Sequence, residues 1–295
     1  MFFTKGFWVL LISLVSIEMV KIEIPVIKKR AFRPTGKIHI MNKLTILLLF
    51  LVVSACKQNS KPVNTEEPVQ KEMSESKPQY PDAMVQVFEA HGGFKEWRAQ
   101  RTLSFVLPKP NLPETHTVDL WSRMDRIDTE QFSMGFDGKK EWLLDTDKTY
   151  KGDVGFYHNL MFYFYAMPFV LADDGIIYSE SEDLEYDGKS YPGIKIAYQS
   201  GIGASSKDEY YIHFDAETHQ MAWLGYTVTY RSGKSSDNVR WINYNDWQEI
   251  NGVILPKSIT WHKYEGRKIM EPVSTMNFKE VRLSEEPKPK EFYEK

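Results

Sequence analysis

The stretch DEYYIHFDAETHQMAWLGYTVTY, residues 208–230, decides the fold. Every second residue is apolar or aromatic in its first half, from Tyr210 to Phe214, and again in its second half, from Met221 to Tyr230. Between the halves lies DAETH, which has the polar composition of a turn. Because successive side chains of a strand point to opposite faces of a sheet, this pattern predicts a β-hairpin.

Segments with the same alternation lie on both sides of this hairpin. We predict further strands at residues 117–121, 141–144, 195–198, 240–249, 253–264 and 274–282. Roughly nine or ten strands in series, joined by short turns, indicate an antiparallel sheet.

Two segments have the character of helices. Asp82 as the N-cap and the apolar residues after it predict an N-terminal helix that Gly92 and Gly93 end. The second segment, GFYHNLMFYFYAMPFVL at residues 155–171, is apolar on all sides, so a helix here must be buried. Pro168 should end or kink it. We therefore predict a mainly β fold: a single curved antiparallel sheet or unclosed β-barrel, with the apolar helix in its concave face.

Cys56 is the only cysteine in the chain, and it follows a short apolar run. Residues 41–55, MNKLTILLLFLVVSA, combine a positive charge, about a dozen apolar residues and a small-residue end, which is typical of a secretory signal peptide. Residues 53–56, VSAC, resemble the lipobox of bacterial lipoproteins, in which the cysteine is lipidated and becomes the new amino terminus. We therefore predict lipidation at Cys56.

The remaining organisation follows from composition. Residues 1–40 are interpreted as an upstream extension of the reading frame, with translation beginning at Met41; a signal-anchor is the alternative. Residues 41–55 are the signal peptide, and 56–80 are the lipidated cysteine with a flexible, polar tether. Residues 81–283 form one β domain, and the polar residues 284–295 are expected to trail off as a tail.

The charge of the mature chain excludes one class of partner. Residues 1–55 carry eight Lys or Arg and two Glu, a net charge of +6, while the whole chain has −3, so the mature part has −9. Nucleic acid is therefore not an expected partner, because its recognition depends on basic contacts to phosphate. The membrane is the expected partner, through the N-terminal lipid rather than through surface charge.

Five motifs recur in the same order in a group of uncharacterised Bacteroidetes-type lipoproteins, which the chain resembles. They are AHGGFKEW at 90–97, FDGKKEW at 136–142, MPFVLAD at 167–173, DEYY with FDAET at 208–218, and NGVILP at 251–256. Their strand and turn pattern is distantly similar to the lipoprotein-sorting proteins LolA and LolB. That resemblance implies an unclosed β-barrel with helices in its mouth, sheltering a hydrophobic cavity for acyl chains.

Six aromatic residues are the candidate ligand-binding set, although they are equally suited to filling the core. They are Trp142, Phe162, Phe164, Phe169, Trp223 and Trp241. A ligand site needs a cavity of a few hundred Å³ with a few polar groups, whereas a core is close-packed. No cofactor or metal is predicted, because the histidines lack the spacing of a zinc site.

We predict a lipid-anchored protein of the outer membrane, on its periplasmic or its surface face, that binds or carries a hydrophobic ligand without catalysis. One alternative is an envelope hydrolase that acts on glycan or peptide through carboxylates such as Asp173 and Asp208. The other is a scaffold module with a solid core. The sequence favours no oligomeric state.

Overall fold

The computed structural model describes residues 80–199, 207–229 and 232–295. The predictions for residues 1–79, which include the signal peptide, Cys56 and most of the tether, lie outside the described residues.

Short helices and many strands make up the described part. Its helices are α1 (Asp82–Ala90), α2 (Phe94–Ala99), α3 (Val154–Tyr157), α4 (Leu160–Tyr165) and two 3-10 helices, Phe169–Ala172 and Lys290–Tyr293. Its strands are β1 (Thr102–Leu107), β2 (Glu114–Asp119), β3 (Asp125–Asp128), β4 (Ser133–Phe136), β5 (Glu141–Leu144), β6 (Ile176–Tyr186), β7 (Lys189–Tyr198), β8 (Tyr210–Phe214), β9 (Met221–Tyr226), β10 (Arg240–Ile250), β11 (Val253–Glu265), β12 (Lys268–Asn277) and β13 (Lys279–Ser284).

The strands form two sheets in which every neighbouring pair is antiparallel. The first has six strands in the order β13-β1-β2-β3-β4-β5, and the second has seven in the order β12-β11-β10-β9-β8-β7-β6. Apart from the β13–β1 contact, sequence neighbours pair throughout, as expected when short turns join the strands. The predicted mainly β, antiparallel class is confirmed.

One bent strand carries the chain from the second sheet to the first. Only Phe278 separates β12 from β13, and its backbone N–H donates to Lys257 O at 2.8 Å, on the β11 side. Glu280, with φ of 51°, lies just beyond, and β13 then pairs with β1. The sequence predicts one strand at 274–282 here, because alternation does not show such a bend. Strands β5 and β6 each pair on one side only, so the described barrel is unclosed.

Alternation gives the seven-stranded sheet an inner and an outer apolar face. The inner face joins the main core, and its members include Ile212, Leu224 and Ile242. Their sequence neighbours Tyr211, Trp223 and Trp241 belong to a second, smaller core on the outer face. The sheet is therefore covered by apolar side chains on both sides.

Helix α1 packs on the inner core through Met84, Val87 and Phe88. Its N-cap is Pro81 rather than the expected Asp82, which instead begins the first turn. The predicted end is confirmed, since Gly92 and Gly93 follow with φ of 97° and 88°. Positive φ is readily adopted by glycine, which lacks a Cβ.

The last residues pack onto the protein instead of trailing off. Tyr293 is fully buried, and its main-chain oxygen accepts a hydrogen bond of 2.8 Å from Trp142 Nε1. Arg126 donates to Phe292 O at 3.2 Å. The expectation of a loose tail was therefore wrong, because composition does not reveal one buried aromatic residue at the end of a polar segment.

Candidate functional site

The segment that connects the two edge strands β5 and β6 folds into the inner core. We call residues 154–172, which contain α3, α4 and the first 3-10 helix, the interior plug. Most of its later residues, from Met161 to Ala172, are buried in the main core. The predicted burial of the apolar segment is confirmed.

The plug is three short helices rather than the single helix that the sequence predicts. Helix α3 ends at Tyr157, α4 covers Leu160–Tyr165, and the 3-10 helix follows Pro168. Asn159, with φ of −114° and ψ of 0°, separates the first two helices. Helices of four to six residues are unstable alone, so packing against the sheets must hold them.

Ring contacts fix the plug against α2, the seven-stranded sheet and the bend between the two sheets. Phe169 stacks on Trp97 with ring centroids 4.8 Å apart. Phe164 meets Tyr226 of β9 at 5.2 Å. Tyr165 lies 4.1 Å from Phe278, at the bend between the sheets. The plug thus touches the bend and the seven-stranded sheet together.

Tyrosine hydroxyls bond the carbonyl groups that the short helices leave unpaired. Tyr244 of β10 donates to Phe164 O at 2.7 Å. Tyr178 of β6 donates to Leu171 O, and Tyr80 donates to Ala172 O at 3.3 Å. We call these three hydroxyls the tyrosine latch. An unpaired buried carbonyl is costly, so the latch is an important part of what keeps the plug in place.

A buried polar cluster holds the beginning of the plug. Tyr157 donates to Glu114 Oε2 at 2.7 Å, and His116 Nε2 lies 3.1 Å from the same oxygen. Lys109 contacts Glu114 at 2.6 Å. Burial alone would raise the pKa of Glu114, but the contacts with His116 and Lys109 lower it to about 2. Glu114 is therefore a buried carboxylate that remains charged.

A second buried pair lies beside this cluster. His158 Nδ1 is 2.6 Å from Asp125 Oδ2, and both side chains are almost inaccessible. Burial raises the pKa of Asp125 to about 6, although its contact with His158 opposes this shift. The pair joins the plug to β3.

The six predicted ligand-binding residues do not meet in one cavity. Phe162, Phe164 and Phe169 belong to the plug, within the main core. Trp223 and Trp241 lie on the outer face of the seven-stranded sheet. Trp142 lies on the face of the six-stranded sheet that the C-terminal residues cover.

Among these six, Trp223 borders a cavity of about 640 Å³ on the outer face. Sequence analysis missed the other residues of this cavity, because Tyr186 and His262 are distant in sequence and in strand order. The sequence signal that could have located this cavity is the alternation of Trp223 with Leu224, which places the two side chains on opposite faces of the sheet.

The two candidate catalytic carboxylates have structural partners. Asp173, which follows the plug, forms an ion pair with Arg123, and burial raises its pKa. Asp208 Oδ1 accepts the Thr229 backbone N–H at 2.6 Å. The first contact joins the end of the plug to the connection between β2 and β3, and the second joins the two ends of the β8–β9 hairpin.

Residues 80–199, 207–229 and 232–295 hold no group of three or more His, Cys, Asp or Glu side chains arranged to bind a metal ion. In the same residues, no helix has both the length and the apolar character needed to cross a membrane.

The family is identified by a match that begins after β3 and ends at the bend. The model of a family of unknown function, DUF6503, matches residues 129–278. The chain belongs to this family. The DUF6503 match includes the whole interior plug and all of the seven-stranded sheet. Among curated proteins, none matches the chain significantly.

Solved structures similar to this DUF6503 protein are very distant in sequence. A LolA superfamily protein from Nitrosomonas europaea has 10% identity and a TM-score of 0.36, covering 66% of this chain and 89% of its own. A putative outer membrane lipoprotein-sorting protein domain from Vibrio parahaemolyticus has 7% identity and a TM-score of 0.37. The match covers 69% of this chain and 96% of that domain. A DUF1329 family protein from Desulfovibrio piger has 8% identity and a TM-score of 0.39. The match covers 67% of this chain and 93% of that protein. Similarity at this level transfers neither a ligand nor an activity to this chain.

Proposed function

We propose that this DUF6503 protein is a lipid-anchored protein of the cell envelope, in the outer membrane, that binds or carries a hydrophobic ligand without catalysis. The ligand is a lipid or an acylated protein, and it occupies the space that the interior plug fills. One observation carries the proposal: the plug, which connects the unpaired edge strands β5 and β6, is apolar and fills the inner side of the seven-stranded sheet.

The space behind the plug suits an acyl chain. The inner face of the seven-stranded sheet presents Ile196, Leu224 and Leu255 to the plug side, and all three are fully buried. Withdrawal of the plug exposes these side chains as a concave apolar surface. Such a surface favours an apolar occupant, because each buried methylene contributes about 0.8 kcal/mol.

The plug can compete with a ligand because its segments are short. A six-residue helix has little stability of its own, so α4 depends on its packing and on the tyrosine latch. Each hydrogen bond of the latch contributes about 1 kcal/mol. An acyl chain of about ten methylenes contributes about 8 kcal/mol on the same scale, which offsets the latch and part of the apolar burial that the plug gives up.

Placement in the envelope follows from the predicted lipidation of Cys56. The matched test is labelling with radioactive palmitate in the wild-type protein and in Cys56→Ser. We expect label in the first and none in the second. Equal label in both would remove the anchor from the proposal.

Ligand binding is tested with a fluorescent C16 fatty acid and the purified protein. Tyr244→Phe removes the hydroxyl that bonds Phe164 O and keeps the ring. Because the ligand then displaces a less stable plug, we expect about fivefold tighter binding, the equivalent of about 1 kcal/mol. Tyr264→Phe, on the exposed end of β11, is the matched control and should bind as wild type does.

The result has distinct outcomes. Tighter binding in Tyr244→Phe alone supports a ligand in the place of the plug. Equal affinity in all three proteins contradicts that location. No binding in any of them contradicts the carrier and leaves the scaffold module with a solid core.

A further inference from the structure

The outer face of the seven-stranded sheet carries a cavity that the plug and its ligand do not use. Its volume is about 640 Å³, within the range of small-molecule sites. Its floor comes from β9 to β12, and the hairpin of β6 and β7 forms one wall. The sheet separates this cavity from the inner core.

The wall exists because the β6–β7 hairpin folds over the sheet. Strands β6 and β11 are five positions apart in the sheet order, which is about 24 Å in a flat sheet. Nevertheless, the ring of Tyr186 lies 6.0 Å from that of His262 on β11. A register irregularity between Ser181 and Leu184 marks where β6 bends.

Aromatic rings are concentrated at this wall. The ring centroids of Tyr186 and Trp223 are 4.6 Å apart, and those of Trp223 and His262 are 4.9 Å apart. Tyr191 completes the group. Such rings offer flat apolar surfaces against which a ligand ring can stack.

The rest of the lining is polar and mostly uncharged. Asn243 and Asn245 of β10 lie beside Thr260 and Thr275, whose hydroxyls are 2.8 Å apart. Asn243 Nδ2 donates to Ala222 O at 3.1 Å. Amides and hydroxyls both donate and accept hydrogen bonds, so they suit a neutral ligand rich in hydroxyl groups.

The charged groups at the rim do not favour an anionic ligand. Lys189 forms an ion pair with Asp215, and Asp187 contributes a negative charge at the same rim. An anion therefore meets no unpaired cation among these rim residues. The polar floor is equally unsuited to an acyl chain, because an acyl chain offers no hydrogen-bonding group to the amides of Asn243 and Asn245.

Trp223 supplies an independent observation. Its side chain is 2% exposed, and within the described residues its indole Nε1–H has no hydrogen-bond partner. A buried donor without a partner is unusual and unfavourable. Trp223 lines the cavity, so a ligand oxygen beside the indole can accept this hydrogen.

We propose that this outer-face cavity binds a neutral carbohydrate, with its ring stacked on Tyr186 and its hydroxyls bonded to Asn245, Thr275 and Trp223. Stacking needs an apolar ring face, and the floor needs several hydroxyls; a neutral sugar offers both. The site is separate from the plug, so it does not depend on the proposed acyl ligand.

The test is isothermal calorimetry of the purified protein with cellotriose, maltotriose and chitotriose. Two variants remove the proposed contacts, Tyr186→Ala and Asn245→Ala. Their matched controls are Tyr264→Ala and Asn277→Ala, which change exposed residues of the same sheet outside the cavity. Loss of a stacking ring should weaken binding about tenfold.

We expect at least one of the trisaccharides to bind the wild type and both controls, and to bind both cavity variants more weakly. Asn245→Ala changes one exposed amide, so it keeps the test valid if Tyr186→Ala does not fold. No binding of any of the three sugars at millimolar concentration overturns the proposal. Binding that is equal in wild type and Asn245→Ala also overturns it, since the sugar then lies elsewhere.

Discussion

His158 of the plug and Asp125 of β3 form a buried contact, with 2.6 Å between Nδ1 and Oδ2. Asp125 is 2% exposed and His158 is 7% exposed. Breaking one half of such a pair is expensive because the other half stays buried without its partner. The contact therefore ties the plug to the six-stranded sheet.

We expect Asp125→Leu to lower the free energy of unfolding by about 3 kcal/mol. Asp125→Asn keeps an acceptor for the imidazole N–H and should cost about 1 kcal/mol. Urea denaturation of the purified proteins measures both.

Asp128→Asn is the matched control on the same strand. Its carboxylate pairs with Arg126 at 2.8 Å but is 37% exposed, so the change should cost less than about 1 kcal/mol. An equal loss in Asp125→Leu and Asp128→Asn would contradict the importance of the buried pair.

The protein should lose stability in mild acid because of two buried histidines. Burial lowers the pKa of His91 and of His213 to about 4 in the folded state, against an ordinary value of 6.5. Between pH 6.5 and 4 the unfolded chain binds these protons and the folded protein does not, so stability falls as pH falls. Asp125 acts in the opposite direction below about pH 6, because its pKa is raised.

We expect His213→Gln to reduce the slope of unfolding free energy against pH by up to about 1.4 kcal/mol per pH unit, the effect of one proton. Asp125→Asn should steepen the loss, since it removes the opposing group. Urea denaturation at several pH values between 4 and 6.5 gives the slope. A His213→Gln slope equal to that of the wild type would show that this imidazole titrates normally in the folded protein.

Alternation accounts for the part of the fold that could be predicted. Residues 141–144 and the hairpin around residues 215–220 were found from sequence because apolar and aromatic residues recur there at every second position. Strands β3, β4 and β6 were missed, since β3 (DRID) has one apolar residue, β4 (SMGF) has two, and most of β6 is exposed or half-buried.

The candidate sites depend on contacts that sequence spacing does not encode. The plug was recognised by its composition, but its partners Tyr244 and Asp125 lie far along the chain. The cavity beside Trp223 depends on a hairpin that folds over the sheet, and the bend of β6 has no sequence signal. Composition therefore predicted what is buried, but not which surfaces meet.

The C-terminal residues should contribute strongly to stability. Tyr293 is fully buried and covers Trp142, so Tyr293→Ala is expected to cost about 3–4 kcal/mol in urea denaturation. Glu294→Ala, an exposed neighbour paired with Lys290, should cost less than about 0.5 kcal/mol. If Tyr293→Ala is as stable as Glu294→Ala, the docking of the C-terminal residues on the sheet is wrong.

Gly92 marks a close approach of α1 to the turn between β10 and β11. A Cβ at residue 92 would lie 1.9 Å from Gly252 O, a backbone atom that cannot move without disturbing the turn. Its φ of 97° adds strain for any residue with a side chain. Gly92→Ala should therefore lower the free energy of unfolding by about 4 kcal/mol.

Gly188→Ala is the matched control, since its φ is 73° but nothing lies within 4 Å of the added Cβ. It carries only the backbone strain, about 1 kcal/mol, so the difference between the two variants in urea denaturation measures the contact itself. Equal losses would mean that α1 does not pack against this turn.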